Sequence, residues 1–278
     1  TVEHNQAEMS EDAEQLVEER KSIIVVDDNA DFRTLLTDIL SDEFDVIQAQ
    51  NGEEAFAEIV RLQPNIIISD VMMPVMDGNE LCKKVKTDVR TSHIPFVMLT
   101  AKTAEEHRIE GLSNGADDYI SKPFNPQILK LRIAKLIELG IRRHEKFKQQ
   151  IEPEPSEITI TPLDEKLIQK AIKYVEDNIA SPDLSVEELS RYLGMSRVHL
   201  YKKLLSITGH SPIEFIRIIR LKRAAQMLKD KQQNVSDVAY AVGFNNPKYF
   251  SKYFKEEFGV LPSVYQNNTD GVTSNFEL

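Results

Sequence analysis

A small set of residues could do chemistry together: Asp27-Asp28, Asp70, Thr100-Ala101 and Lys122. Asp70 closes the run Ile66-Ile67-Ile68-Ser69 and is followed by Met72-Met73-Pro74 and Asp77-Gly78. Three isoleucines in a row read as a strand buried on both faces, the mark of a parallel sheet. In open α/β sheets, ligands and chemistry gather at the carboxyl ends of strands. A lone Asp at such a place most simply caps the next helix. Here Asp27-Asp28 end a second apolar run, Ile23-Ile24-Val25-Val26, and strands one and three are neighbours in this kind of sheet. Three converging carboxylates need a bound cation or a raised pKa, and oxygen ligands with open positions suit Mg²⁺. Thr100 and Lys122 add a hydroxyl and an ammonium that can grip phosphoryl oxygens. The separations of 42, 30 and 22 residues each span one or two βα units, so all five side chains are expected at one sheet edge.

The elements that must position these residues alternate from Ser22 onward. Strands are expected at 23–26, 45–49, 66–69, 95–99 and 118–120. Helices are expected at 30–40, 52–62, 79–85, 104–114 and 126–139. Five strands and five helices over 22–140 make an α/β domain with a doubly wound, five-stranded parallel sheet of flavodoxin-like type. A polar, Glu-rich lead-in (1–21) precedes it. A linker (141–162) follows, starting basic and ending Glu152-Pro153-Glu154-Pro155, which should stiffen and extend the chain.

Within 22–140 the residues resemble the response-regulator receiver domain. The resemblance rests on Asp27-Asp28, Asp70, Met73-Pro74 with Asp77-Gly78, Thr100-Ala101 and Lys122-Pro123-Phe124. It implies that Asp70 is the phosphoacceptor and that Mg²⁺ is held by Asp28 directly, Asp27 through water, Asp70, and the backbone carbonyl of Met72. It further implies that Lys122 contacts the phosphoryl group, that Thr100 and Ala101 border it, and that Tyr119 is the aromatic that moves on activation. A histidine kinase would then supply the phosphoryl group.

From Leu163 to Gln266 the pattern is all helical, and one unit occurs twice. Residues 185–207 and 236–258 each read helix, tight turn, helix, with Gly194 matching Gly243 and Gly209 matching Gly259. Each second helix sets basic residues around an apolar stripe, as a groove-reading helix must. This half resembles the AraC-type DNA-binding domain, most closely over Tyr249-Phe250-Ser251-Lys252-Tyr253-Phe254-Lys255 and Phe258-Gly259-Val260-Leu261-Pro262. That resemblance implies contacts to double-stranded DNA from Arg197, Val198, Tyr201 and Lys202, with His199 beside them. In the second unit it implies Asn246, Pro247, Lys248, Tyr249 and Lys252. On the joining helix, Arg217, Arg220, Lys222 and Arg223 meet either phosphate or solvent. Residues 267–278 read as a loose polar tail.

Charge supports two jobs. The net charge is −11, yet residues 1–161 hold 18 basic against 31 acidic side chains and residues 191–255 hold 13 against 3. A basic back half suits a polyanion. One cysteine, Cys82, excludes an internal disulfide and fits a reducing cytosol. No apolar run is long enough to cross a membrane. The expected protein is a phosphorylation-dependent, sequence-specific transcriptional regulator that pairs with a second copy when phosphorylated. It is not itself an enzyme. It is expected to be the cytoplasmic C-terminal part of a hybrid sensor kinase of the inner membrane, so the histidine kinase could lie on the same chain. The alternative is a phosphorelay or scaffold protein whose helical half binds protein. A Mg²⁺-dependent phosphatase is the third reading, but it needs a second Asp two residues past Asp70, where Met72 stands.

Overall fold

The computed structural model describes residues 20–101, 115–150, 155–159, 161–230 and 233–267. The chain divides into two compact units, Thr1–Lys83 with Ile94–Leu131 and Lys84–His93 with Arg132–Leu278.

The sheet of the first unit holds β1 (Ser22–Val26), β2 (Asp45–Ala49), β3 (Ile66–Asp70), β4 (Phe96–Thr100) and β5 (Asp118–Ser121). All neighbours are parallel and the order is β2-β1-β3-β4-β5. The central strands β1, β3 and β4 are buried along nearly their whole length, as their unbroken apolar runs require. Helices α1 (Ala30–Leu40) and α2 (Gly52–Leu62) start within a few residues of the preceding strand. Asn29 and Asn51 cap them, each side chain accepting from two backbone N–H groups of the first turn. Short capped connections keep the strand-end residues close to the sheet edge. Helix α3 spans Gly78–Thr87. The helix expected at 104–114 lies outside the described residues, as do 1–19 of the lead-in, 151–154 of the linker and 268–278 of the tail.

The expected start of the linker is helical instead. The helix beginning at Pro126 does not stop at Leu139 but runs to Gln149 as one element, α4. Beyond Gly140, the stretch 141–149 contains neither Gly nor Pro to break it and is rich in Arg, Lys, Glu and Gln, all good helix formers. Its anchor is Phe147, fully buried in the core of the second unit and stacked on Phe215 with ring centroids 5.6 Å apart. One further turn, α5 (Pro155–Ile158), follows.

The rest of the second unit comprises α6 (Pro162–Asp177), α7 (Val186–Tyr192), α8 (Arg197–Thr208), α9 (Pro212–Lys229), α10 (Val235–Ala241), α11 (Pro247–Phe258) and α12 (Pro262–Asn267). Helix α6 starts at Pro162 because Thr161 caps it and Pro162 suits its first turn. The two copies of the repeat are α7–α8 and α10–α11. Gly194 and Gly243 turn each pair with φ of +68° and +81°, and Gly209 and Gly259 end each second helix at +78° and +75°. Those left-handed positions are why glycine recurs at the same places in both copies. Helix α9 is their shared spine. Phe215, Ile216, Ile218 and Ile219 enter the core of the first copy, and Leu221, Ala224, Ala225 and Leu228 enter the core of the second with Phe250 and Phe254.

Candidate phosphoacceptor pocket and reading helices

Strand register levels the chemistry-bearing residues. Val26 pairs with Ser69, Asp70 with Leu99, and Thr100 with Ser121. Asp27, Asp70, Thr100 and Lys122 therefore leave the sheet at the same edge. The Lys122 ammonium donates to Asp27 Oδ2 at 2.9 Å and lies 2.7 Å from Asp70 Oδ1. The other oxygens are held too: Asp27 Oδ1 accepts from the Asn29 N–H at 2.9 Å and Asp70 Oδ2 from the Met72 N–H at 3.1 Å. Lys122 Nζ also stands 4.1 Å from the centroid of the Phe32 ring, which meets Phe124 edge-on. Burial works against the charged lysine, but the hydrogen bonds it donates to Asp70 and Asp27 outweigh it and hold its pKa above the ordinary value.

Two carboxylates thus share one ammonium, which leaves negative charge uncompensated. Asp28, the third expected carboxylate, is exposed. Among the described residues no three carboxylate, imidazole or thiolate side chains form a ready-made metal-binding group. Asp27 is buried, at 2% exposure. The donors that remain are hard oxygens with excess negative charge, a set that suits Mg²⁺ better than a softer metal.

The other expected members border the pocket. Thr100 is buried at 2% exposure and its carbonyl accepts the Lys122 N–H at 2.6 Å. Ala101 is exposed. Tyr119 is half-buried on β5, in register with Met98. Met72 is 78% exposed. Two backbone features show how tightly the loop after Asp70 is drawn. Val75, a β-branched residue, sits at φ +69°, and a Cβ at Gly78 would fall 2.1 Å from the Asp70 carbonyl oxygen. Gly78→Ala is therefore expected to displace the Asp70 backbone and cut the rate of phosphoryl labelling about tenfold or more while the protein still folds; a time course with acetyl phosphate and Mg²⁺ measures it.

In the second unit, Arg197, Val198, Tyr201 and Lys202 of α8 are exposed on one side, while Leu200 and Leu204 are buried on the other. Lys248, Tyr249 and Lys252 of α11 are likewise exposed over buried Phe250 and Phe254, with Pro247 half-buried at the helix start. Two expected contacts serve the helices themselves. Asn246 caps α11 by accepting from the Lys248 N–H at 2.9 Å. His199 is half-buried, its Nδ1 3.0 Å from Oγ of the α8 cap Ser196.

The joining helix gives a clearer departure. Lys222 is 3% exposed, and its ammonium is ringed by the carbonyls of Phe147, Lys148 and Gln150, at the carboxyl end of α4. Burial pushes its pKa down to about 8. Arg220 donates to the carbonyls of Gly243 and Ser181, clamping the turn of the second copy. Arg217 stacks 4.3 Å from the Tyr253 ring centroid. These are packing cations, because the helix that carries them is buried through both cores. Sequence spacing missed this, since α9 is apolar nearly all round and offers no clear wet face.

The comparisons agree with this division. Residues 23–134 match the response regulator receiver domain, and residues 189–268 match a helix-turn-helix domain. Over 249 residues, 90% of the chain, it is 45% identical to histidine kinase P4 of Formosa agariphila, of which it spans 18%. Over 118 residues, 42% of the chain, it is 41% identical to the phosphate regulon transcriptional regulatory protein PhoB of Pseudomonas aeruginosa, covering 52% of that protein. The chain thus spans about a fifth of the first relative and about half of the second. Among solved structures, it is similar to the chemotaxis response regulator CheY4 of Vibrio cholerae, with 35% identity, a TM-score of 0.40, and coverage of 42% of this chain and 98% of that one. No helix among the described residues is long and apolar enough to cross a membrane. The chain therefore carries a response regulator receiver domain over residues 23–134 and, after it, a helix-turn-helix domain over residues 189–268.

Proposed function

We propose that the chain is the output half of a hybrid sensor kinase, in which Asp70 takes a phosphoryl group from a phosphohistidine and the two reading helices bind promoter DNA in response. The observation that carries this reading is Lys122 gripping Asp27 and Asp70 at the carboxyl edge of the sheet. A carboxylate oxygen of Asp70 forms the new bond to phosphorus as the donor's bond to phosphorus breaks. Lys122, already beside that oxygen, shifts toward the phosphoryl oxygens, and the hydroxyl of Thr100 meets them from the adjacent strand, β4. Mg²⁺, held by Asp27, Asp28, Asp70 and the Met72 carbonyl, would neutralise charge on the same oxygens. Tyr119 and Thr100 are the residues whose packing then changes. The similarity to a histidine kinase over 90% of this chain supports a kinase on the same polypeptide. In this reading the protein works in the cytoplasm and pairs with a second copy when phosphorylated.

On the DNA side, Arg197, Val198, Tyr201 and Lys202 read one major-groove segment, and Lys248, Tyr249 and Lys252 read another. His199, Asn246 and Pro247 shape the helix starts from which those side chains reach. Binding is tested with duplexes selected from a random-sequence pool, with and without acetyl phosphate and Mg²⁺. Affinity that falls steeply with added salt and changes on phosphorylation is the expected result. Salt-independent binding, or none, would refute it. Lys252→Ala should weaken binding about tenfold and lower the slope of log affinity against log salt by about one, with Asp70 labelling unchanged.

A further inference from the structure

Lys203 of α8 is fully buried. Its ammonium lies 2.6 Å from Asp164 Oδ1, donates to Ser92 Oγ at 2.8 Å, and donates to the carbonyl of Val89. All three N–H donors are used. Asp164 is also fully buried; it accepts from Ser92 Oγ at 2.7 Å and from Thr161 Oγ1 at 2.8 Å. Burial lowers the Lys203 pKa. Burial pushes Asp164 the other way, but Lys203 and Ser92 overcome it and keep its carboxyl below the usual range.

Val89 and Ser92 belong to the stretch of the receiver family match that packs in the second unit, Lys84–His93. This stretch is tied covalently to the phosphoacceptor pocket at both ends. Its first residues are the last turn of α3, whose first residue, Gly78, donates to the Val71 carbonyl at 2.9 Å beside Asp70. After it runs β4, which ends on Thr100. A buried ion pair is a poor device for stability alone, since apolar residues of similar size commonly do as well or better. It is a good device for fixing one discrete arrangement. Beside it, the buried His93 Nδ1 has no hydrogen-bond partner, so the segment is not packed for maximal stability.

We propose that Asp164 and Lys203 clamp segment 84–93 to the first reading helix, and that this clamp carries the effect of phosphorylation from the Asp70 pocket to that helix. Asp164 and Lys203 are positioning residues, and the inference rests on the phosphoacceptor and DNA-reading roles proposed above. Movement of α3 or β4 at the pocket is passed along the chain to Val89 and Ser92, whose partners sit on α6 and α8.

The test uses the full chain, the pool-selected duplex, and acetyl phosphate with Mg²⁺. The unsubstituted chain sets the ratio of DNA affinities with and without phosphodonor, expected at about 5–150-fold for a coupled pair of sites. Lys203→Met and the milder Ser92→Ala should still label at Asp70 and still bind DNA with a steep salt dependence. In Lys203→Met the ratio should fall to within about twofold of unity, and in Ser92→Ala to an intermediate value. Hydrogen exchange on the unsubstituted chain should show protection in 84–93 and α8 changing together when phosphodonor is added. If both variants keep the full ratio, or exchange in 84–93 and α8 does not respond in a chain that labels, the clamp is overturned. If the unsubstituted chain neither labels nor binds DNA, the underlying function is wrong and the clamp falls with it. If Lys203→Met fails to fold, Ser92→Ala and the exchange measurement decide.

Discussion

Asp70→Asn is expected to take up no phosphoryl label from acetyl phosphate and Mg²⁺, a loss to the background of the assay. The side chains are nearly the same size, so the strand, the turn at Gly78 and the Asp27–Lys122 pair should survive the change. Only the nucleophile is lost, because an amide oxygen does not displace a leaving group from phosphorus as a carboxylate does. Intact-mass measurement of the protein reads the outcome directly. Undiminished label would put the acceptor on another residue, and the exposed Asp28 next to the pocket would be the first to examine. The same variant should fix DNA affinity at its unphosphorylated value, which ties the two halves of the proposed function in one experiment.

Phe147→Ala is expected to cost about 3–5 kcal/mol of stability, the usual range for truncating a fully buried phenylalanine. The ring stacks on Phe215, receives the Lys222 ammonium 4.8 Å from its centroid, and lies in the same cluster as Leu167, Leu200 and Leu204. Removing it opens a cavity where the end of α4 enters the helical core. Denaturant unfolding should show the drop, while Asp70 labelling below the transition should be unchanged. A loss under about 1 kcal/mol would mean that the end of α4 is not held by this ring. The expected size of this effect is what distinguishes a helix fused into a core from the spacer that Glu152-Pro153-Glu154-Pro155 suggested.

The sheet and its chemistry were legible early, for a physical reason. Parallel strands buried on both faces must be unbroken apolar runs, so Ile23–Val26, Ile66–Ile68 and Phe96–Leu99 announced themselves, and the polar residue that ends each run marks the functional edge. The repeat was equally visible, because a left-handed turn at Gly194 and Gly243 leaves little choice of residue. Which oxygens the Lys122 ammonium meets was not, since that depends on how side chains from the ends of β1, β3 and β5 pack together. The fates of the cations were least legible. Lys202 and Lys203 are adjacent on one basic helix, yet one is exposed and the other fully buried.

The sequence by itself determined the five strands, their order and the paired helix-turn-helix units, because these follow from periodicity, caps and glycine placement, all set within a few residues. Tertiary structure alone decided which charges face inward. Lys203 meets Asp164 and Ser92 across separations of 39 and 111 residues, and Lys222 meets the end of α4 across about 75. A buried charge is tolerated only where distant segments bring it partners, and no local pattern of residues encodes which distant segments those will be.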